Sequence, residues 1–207
     1  MSPGREERIV TEPMHRAIFL DRDGVLVHDD HLITAPEQLR VMEGAPMALE
    51  RLRAAGWRLV VVTNQTVVAR GLLDEAGVGA LHEDLRQKIL AGGGPSLDAF
   101  YVCPHHPRAD DPRYRVDCDC RKPRPGLLLR AAAERNLDLS RSFLVGDRPS
   151  DIAAGQRAGC RTILVTTGRH EDPPIQSPDS AEPTRPPDAV LPDLAAAVDW
   201  ILGEERP

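Results

Sequence analysis

Residues Arg16 to Val27, RAIFLDRDGVLV, carry a short apolar run straight into Asp21-Arg22-Asp23-Gly24. Ala17–Leu20 has the length and composition of a buried strand, and the two carboxylates at i and i+2 past its end narrow the fold sharply. A parallel α/β sheet binds ligands at the carboxyl ends of its strands, so charges belong at that rim and not along the strand itself. Carboxylates this close raise each other's cost of ionisation unless a cation or hydrogen bonds compensate. The stretch therefore points to a Mg²⁺ site in which one carboxylate also does chemistry. Asp-x-Asp-Gly is also ordinary turn chemistry, and this stretch alone leaves both readings open.

The remainder of the chain supplies partners for that strand. Trp57–Val62, Ala99–Val102, Ser142–Val145 and Arg161–Val165 read as further buried strands. Between them, Ala45–Ala55, Leu73–Leu90, Pro125–Asn136 and Ser150–Ala158 read as helices, punctuated by Gly56, Gly92-Gly93-Gly94-Pro95 and Gly159. Ala189–Leu191 adds an edge strand, and Asp193 caps a last helix over Leu194–Leu202. Such alternation predicts an α/β, Rossmann-like parallel sheet covered by helices on both faces. The expected domain spans residues 15–204, behind a disordered leader at 1–14 and with a mobile Pro-rich loop at 171–187.

Composition excludes several function classes. A net charge of −6 and 3% aromatic residues argue against a nucleic-acid footprint or a base-stacking platform. No apolar run approaches the roughly 18 residues of a membrane span, and the polar N-terminal stretch lacks a signal-peptide segment. The expectation is a cytoplasmic protein that meets no membrane and works as a monomer on a small molecule. Only Lys88 and Lys122 represent lysine among the 26 basic residues, so each is worth inspecting.

Polar residues recur at the strand ends. Asp21 and Asp23 follow the first strand, Thr63-Asn64-Gln65 ends the second, Asp147 and Asp151 follow a later one, and Arg121-Lys122-Pro123 lies between. A hydroxyl, an ammonium and several carboxylates on one rim suit a transferring phosphoryl group. With its motifs FLDRDGV, VVTNQ, RKP and VGDRPSD in order across residues 17–151, the chain resembles the haloacid dehalogenase (HAD) superfamily of phosphatases. The resemblance implies Asp21 as the nucleophile that forms an aspartyl-phosphate and Asp23 as the acid and base. It implies that Thr63 and Lys122 hold the phosphoryl oxygens. Asp21, the backbone carbonyl of Asp23, and Asp147 would hold Mg²⁺. Asp151 either orients that shell or simply sits at a helix N-terminus.

A second cluster follows from spacing. Cys103-Pro-His105-His106 and Cys118-Asp-Cys120 carry thiols and imidazole at C-x-H…C-x-C spacing, which closes a four-coordinate, structural Zn²⁺ site across residues 103–120. Unliganded thiols are the plain alternative, and His106 competes with His105, which the family pattern favours. Cys160 reads as a buried inert thiol.

With this loop, and with no insertion large enough for a cap domain, the chain looks like the D-glycero-D-manno-heptose 1,7-bisphosphate phosphatases and the related histidinol-phosphatase domains. That likeness implies a Mg²⁺-dependent phosphatase acting at C7 of the heptose bisphosphate. Histidinol phosphate is the rival substrate, and a catalytically inactive zinc-stabilised binding protein the rival class. By position, Asp29, Asn64, Gln65, Thr66, Arg70 and Arg121 are the candidate substrate contacts. Val67 replaces the family's usual Gly, which predicts a rebuilt loop if that position needs a positive φ.

Overall fold

The computed structural model describes residues 14–29, 32–168 and 183–204. Its centre is Ala17–Leu20 (β1), flanked by Arg58–Asn64 (β2) on one side and Phe143–Gly146 (β4) on the other. Ala99–Cys103 (β3), Arg161–Val165 (β5) and Ala189–Leu191 (β6) complete a six-stranded sheet in the order β3-β2-β1-β4-β5-β6. Every pairing is parallel.

Both faces of the inner strands are buried, which is why β1 and β4 are apolar throughout and do not alternate. Ile18 and Leu20 point to one layer with Leu49 and Leu52 of Ala45–Ala54 (α1), Leu85 and Ile89 of Glu75–Ala91 (α3), and Val198 and Ile201 of Leu194–Glu204 (α6). Ala17 and Phe19 point the other way, against Leu127, Leu128 and Ala131 of Gly126–Arg135 (α4) and Ala154 of Pro149–Ala158 (α5). Each leucine, isoleucine, valine or phenylalanine among them contributes about 1.5–3 kcal/mol on burial. Gly155 lets α5 settle closely, since a Cβ there would lie 2.6 Å from Thr162 Cγ2.

The chain winds outward from β1 to β3 and returns to β4, so the order reverses between β1 and β4. That reversal opens a crevice at the carboxyl ends of these two strands, where Asp21 and Asp147 follow.

Two local expectations change. The α3 helix begins at Glu75, because the Asp74 side chain accepts from Gly77 N and caps it there. Thr66–Ala69 forms a short helix (α2), and Val67 sits within it at an ordinary negative φ. Its side chain is buried with Val68 and Val78, against Leu73, Val102 and Tyr114, so the replacement of Gly is absorbed by packing and no strained turn is needed.

The expected leader at 1–14 lies almost wholly outside the described residues, as does the loop at 171–187 up to residue 182. Among the described residues there is one sheet, with no second sheet to serve as a cap. No helix there is long and apolar enough to cross a membrane.

Candidate active site

Asp21 leaves β1 with its N–H donating to Val145 O at 3.0 Å, so the backbone ladder carries it to the rim beside β4. Its carboxylate accepts from Arg22 N at 2.7 Å and lies 2.9 Å from Lys122 Nζ. Lys122 Nζ also donates to Val62 O at 2.8 Å and lies 2.7 Å from Asp151 Oδ1. Asp151 sits in the first turn of α5, where its other oxygen accepts from Arg148 N at 3.0 Å. Asp151 thus sits at a helix N-terminus and also grips the lysine.

Asp147 is fully buried directly after β4. Two loops press on it. A Cβ on Gly24, which has φ +82°, would lie 2.5 Å from Asp147 Cγ, and one on Gly168 would lie 2.1 Å from its Oδ2. Glycine at 24 thus meets two demands at once, a left-handed backbone and close approach to a carboxylate.

Oxygens of Asp21, Asp147 and Asp151 all lie within 4.8 Å of one another. Burial pushes Asp21 up to about 6, with Asp151 and Asp23 adding to the effect and Lys122 opposing it. Burial alone would lower Lys122, but the Asp151 and Asp21 charges outweigh it and hold the ammonium charged. Three buried carboxylates form a donor set of hard oxygens, and this suits a divalent cation such as Mg²⁺.

Asp23 turns away from this cluster. Arg22 Nη2 donates to both of its oxygens, at 2.8 and 2.9 Å, while Arg22 Nε donates to Oδ1 at 3.0 Å and Gln65 Nε2 to Oδ2 at 2.9 Å. Gln65 Nε2 also donates to Thr63 Oγ1 at 2.8 Å. Asn64 clasps the Lys122 backbone, donating to its carbonyl and accepting from its N–H, each at 3.1 Å. The amides of Asn64 and Gln65, expected at the substrate, are thus engaged with the residues around them.

Cys103, His105, Cys118 and Cys120 place their ligand atoms within 4.8 Å of one another. His105 Nδ1 is 3.4 Å from Cys120 Sγ and 3.8 Å from Cys103 Sγ, whereas His106 Nδ1 accepts from Arg108 N at 3.1 Å. His105, not His106, therefore belongs to the cluster. The hydrogen bond from Cys103 draws the Cys120 thiol down to about 5, while the same pairing and burial push Cys103 up. Three thiols and an imidazole gathered this closely are compatible with a closed zinc site. Arg121 Nη1 donates to His105 O at 2.9 Å, so the loop is tied directly to the segment carrying Lys122.

Arg148 Nη2 donates to Asp29 Oδ2 at 2.8 Å, and Arg70 is exposed at the end of α2, which Thr66 begins. Burial and the charges of Arg121, Arg108 and Arg70 hold His106 below its ordinary value. Sequence reasoning did not single out Arg22 or His82. Arg22 was visible between the two aspartates, but its burial was not; His82 carried no sequence signal.

The family model Hydrolase_like, described as HAD-hydrolase-like, matches residues 119–197. The D-glycero-beta-D-manno-heptose-1,7-bisphosphate 7-phosphatase of Pasteurella multocida is 45% identical over 157 residues, covering 75% of this chain and 84% of that relative. The D-glycero-D-manno-heptose-1,7-bisphosphate 7-phosphatase of Thermosynechococcus vestitus is 40% identical over 194 residues, covering 92% and 97%. Among solved structures, the D,D-heptose 1,7-bisphosphate phosphatase of B. bronchiseptica, complexed with magnesium and phosphate, superposes with a TM-score of 0.75 at 37% identity. That match covers 91% of this chain and 99% of the other.

Proposed function

The chain belongs to the family of the D-glycero-D-manno-heptose-1,7-bisphosphate 7-phosphatases, HAD-like phosphoric monoester hydrolases, and we propose that it removes the 7-phosphate of that bisphosphate to leave the 1-phosphate. The observation that carries this reading is the buried cluster of Asp21, Lys122, Asp147 and Asp151 at the reversal of strand order, with Asp23 beside it.

Asp21 attacks phosphorus, forming an aspartyl-phosphate, as the bond to the sugar oxygen breaks and Asp23 protonates that oxygen. Asp23 then takes a proton from the water that attacks the same phosphorus and frees Asp21. Thr63 and Lys122 hold the equatorial oxygens, and Asp151 keeps the ammonium in place. Asp21, Asp147 and the backbone carbonyl of Asp23 would hold Mg²⁺, whose charge would offset that of the phosphate and ease the approach of an anionic nucleophile. Cys103, His105, Cys118 and Cys120 would hold Zn²⁺, and that closed site would brace the loop that presents Arg121 and Lys122.

For the rest of the substrate, Arg70 and Arg121 take the second phosphate, with Arg108 beside them. Asp29 and Thr66 face the sugar. Asn64 and Gln65 act one step back, through Lys122 and Asp23. The protein works as a cytoplasmic monomer.

The deciding measurement is phosphate release with Mg²⁺ from both anomers of the heptose bisphosphate and from histidinol phosphate, beside an Asp21→Asn control. A kcat/KM for one heptose anomer at least about a hundredfold above histidinol phosphate, or about 2.7 kcal/mol of discrimination, supports the reading. The reverse ranking reassigns the substrate. No release above the control removes the enzyme reading.

A further inference from the structure

Behind Asp23 lies a chain of buried polar contacts that the phosphoryl-transfer roles leave unused. Arg22 is almost fully buried, and its Nε and Nη2 grip the Asp23 carboxylate. The remaining arm, Nη1, reaches His82 Nε2 of α3 at 3.5 Å. A guanidinium has no acceptor to offer, so Nε2 is the acceptor here and the ring carries its proton on Nδ1. Burial, aided by the Arg22 charge, pushes His82 down to about 3, which keeps the ring neutral and able to accept. The ring itself is fixed by stacking on Phe100 of β3, with centroids 4.5 Å apart and planes at 12°. The Arg86 guanidinium lies over the same Phe100 ring, 5.1 Å from its centroid.

A buried arginine with one arm unanchored can rotate about its long side chain. Its bidentate hold on a carboxylate is only as definite as the plane of its guanidinium. His82 fixes that plane from the side opposite Asp23. We propose that His82 is a positioning residue for the phosphatase reaction: through Arg22 it sets the orientation from which Asp23 delivers its proton to the leaving oxygen. The proposal rests on the acid role assigned to Asp23 above. Its bond changes are those of that step: the Asp21 oxygen–phosphorus bond forms, the phosphorus–sugar oxygen bond breaks, and the Asp23 proton moves to the departing oxygen.

The test uses leaving-group dependence, because proton delivery matters for a sugar alkoxide and hardly at all for a p-nitrophenolate. The kcat of His82→Phe, which retains an aromatic ring against Phe100 but has no acceptor, is compared on heptose 1,7-bisphosphate and p-nitrophenyl phosphate. The expected loss is about tenfold on the sugar ester, with KM little changed, and less than about twofold on the aryl ester. His82→Gln, whose side-chain oxygen can accept from Arg22, is expected to restore the ratio. A cavity of about 290 Å³ beside the ring, lined by Val68, Val78 and Val102 among others, leaves room for that side chain. The ratio of rates on two esters does not depend on the fraction of folded enzyme, so partial loss of fold cannot mimic the result.

Asp23→Asn is the benchmark. If it discriminates between the esters and His82→Phe does not, the positioning role is overturned and the acid role stands. If Asp23→Asn shows no discrimination, the acid role falls and the proposal falls with it. Equal losses on both esters for His82→Phe, or failure of His82→Gln to restore the ratio, also overturn it.

Discussion

Lys122 Nζ lies 2.7 Å from Asp151 Oδ1, and both groups are almost wholly buried. Asp151 thereby supplies a second carboxylate to an ammonium that would otherwise bear on Asp21 alone, at 2.9 Å. Removing one member of a buried ion pair typically costs about 3–5 kcal/mol. Asp151→Ala is expected to lose stability in that range by urea denaturation. Its kcat should fall at least about tenfold as Lys122 withdraws Asp21 from attack. A variant that unfolds and turns over like the parent would contradict this.

Gly168→Ala places a Cβ 2.1 Å from Asp147 Oδ2, too close for either group to stay where it is. The carboxylate is displaced from the cluster it shares with Asp21 and Asp151. The Mg²⁺ concentration giving half-maximal activity should rise at least about tenfold, in the range seen when metal-site geometry is disturbed. Titrating Mg²⁺ against phosphate release reads this directly.

Zinc content and stability should move together. Elemental analysis is expected to find one zinc per chain, held by Cys103, His105, Cys118 and Cys120. Stripping it with a strong chelator should lower Tm and suppress turnover, since Arg121 and Lys122 directly follow Cys120. Cys118→Ser should reproduce both effects without chelator, whereas Cys160, buried and pushed up to about 12, should stay unalkylated in the folded enzyme.

His82 gives a pH dependence of stability with a definite sign. In the folded protein the ring stays neutral down to about 3, whereas the unfolded chain takes up a proton near the ordinary value of 6.5. Between those values the unfolded state binds more protons, so stability falls as pH drops through the window. The slope attributable to this residue is up to about 1.4 kcal/mol per pH unit. Denaturation of the parent and of His82→Gln from pH 7 to pH 4.5 should show the difference; parallel curves would refute it.

Val67 is buried in a cluster with Val68 and Val78 against which Tyr114 packs, and the Tyr114 hydroxyl donates to Glu75 Oε1 at 3.2 Å, so the segment between Cys103 and Cys120 rests on α2 and α3. Val67→Gly, which restores the residue usual in the family, is expected to lose about 2–3 kcal/mol of stability by urea denaturation. The effect on turnover of the bisphosphate is expected in KM more than in kcat, because Thr66 and Arg70 of the same short segment are the proposed substrate contacts.

Much of this architecture is legible in the amino-acid sequence, for identifiable physical reasons. Strands β1 and β4 are buried on both faces and therefore apolar throughout, and their ends are marked by the abrupt arrival of Asp21 and Asp147. Helix ends were marked by Gly56 and Gly159, which adopt positive φ. The Cys and His spacing announced a compact cluster. The short α2 helix was not legible, because four residues are too few for a period to show and the family's glycine suggested a turn.

The amino-acid sequence by itself determined the parallel sheet, the order of its motifs and the residue types on its rim, since those depend on local apolar runs and short-range spacing. Only the tertiary structure decided which polar groups meet. Asp151 on Lys122, Asn64 on the Lys122 backbone, His105 in preference to His106, and His82 behind Arg22 all join parts of the chain through space. A buried charge must find its partner wherever the fold brings one within about 3 Å, and no periodicity along the chain records that distance.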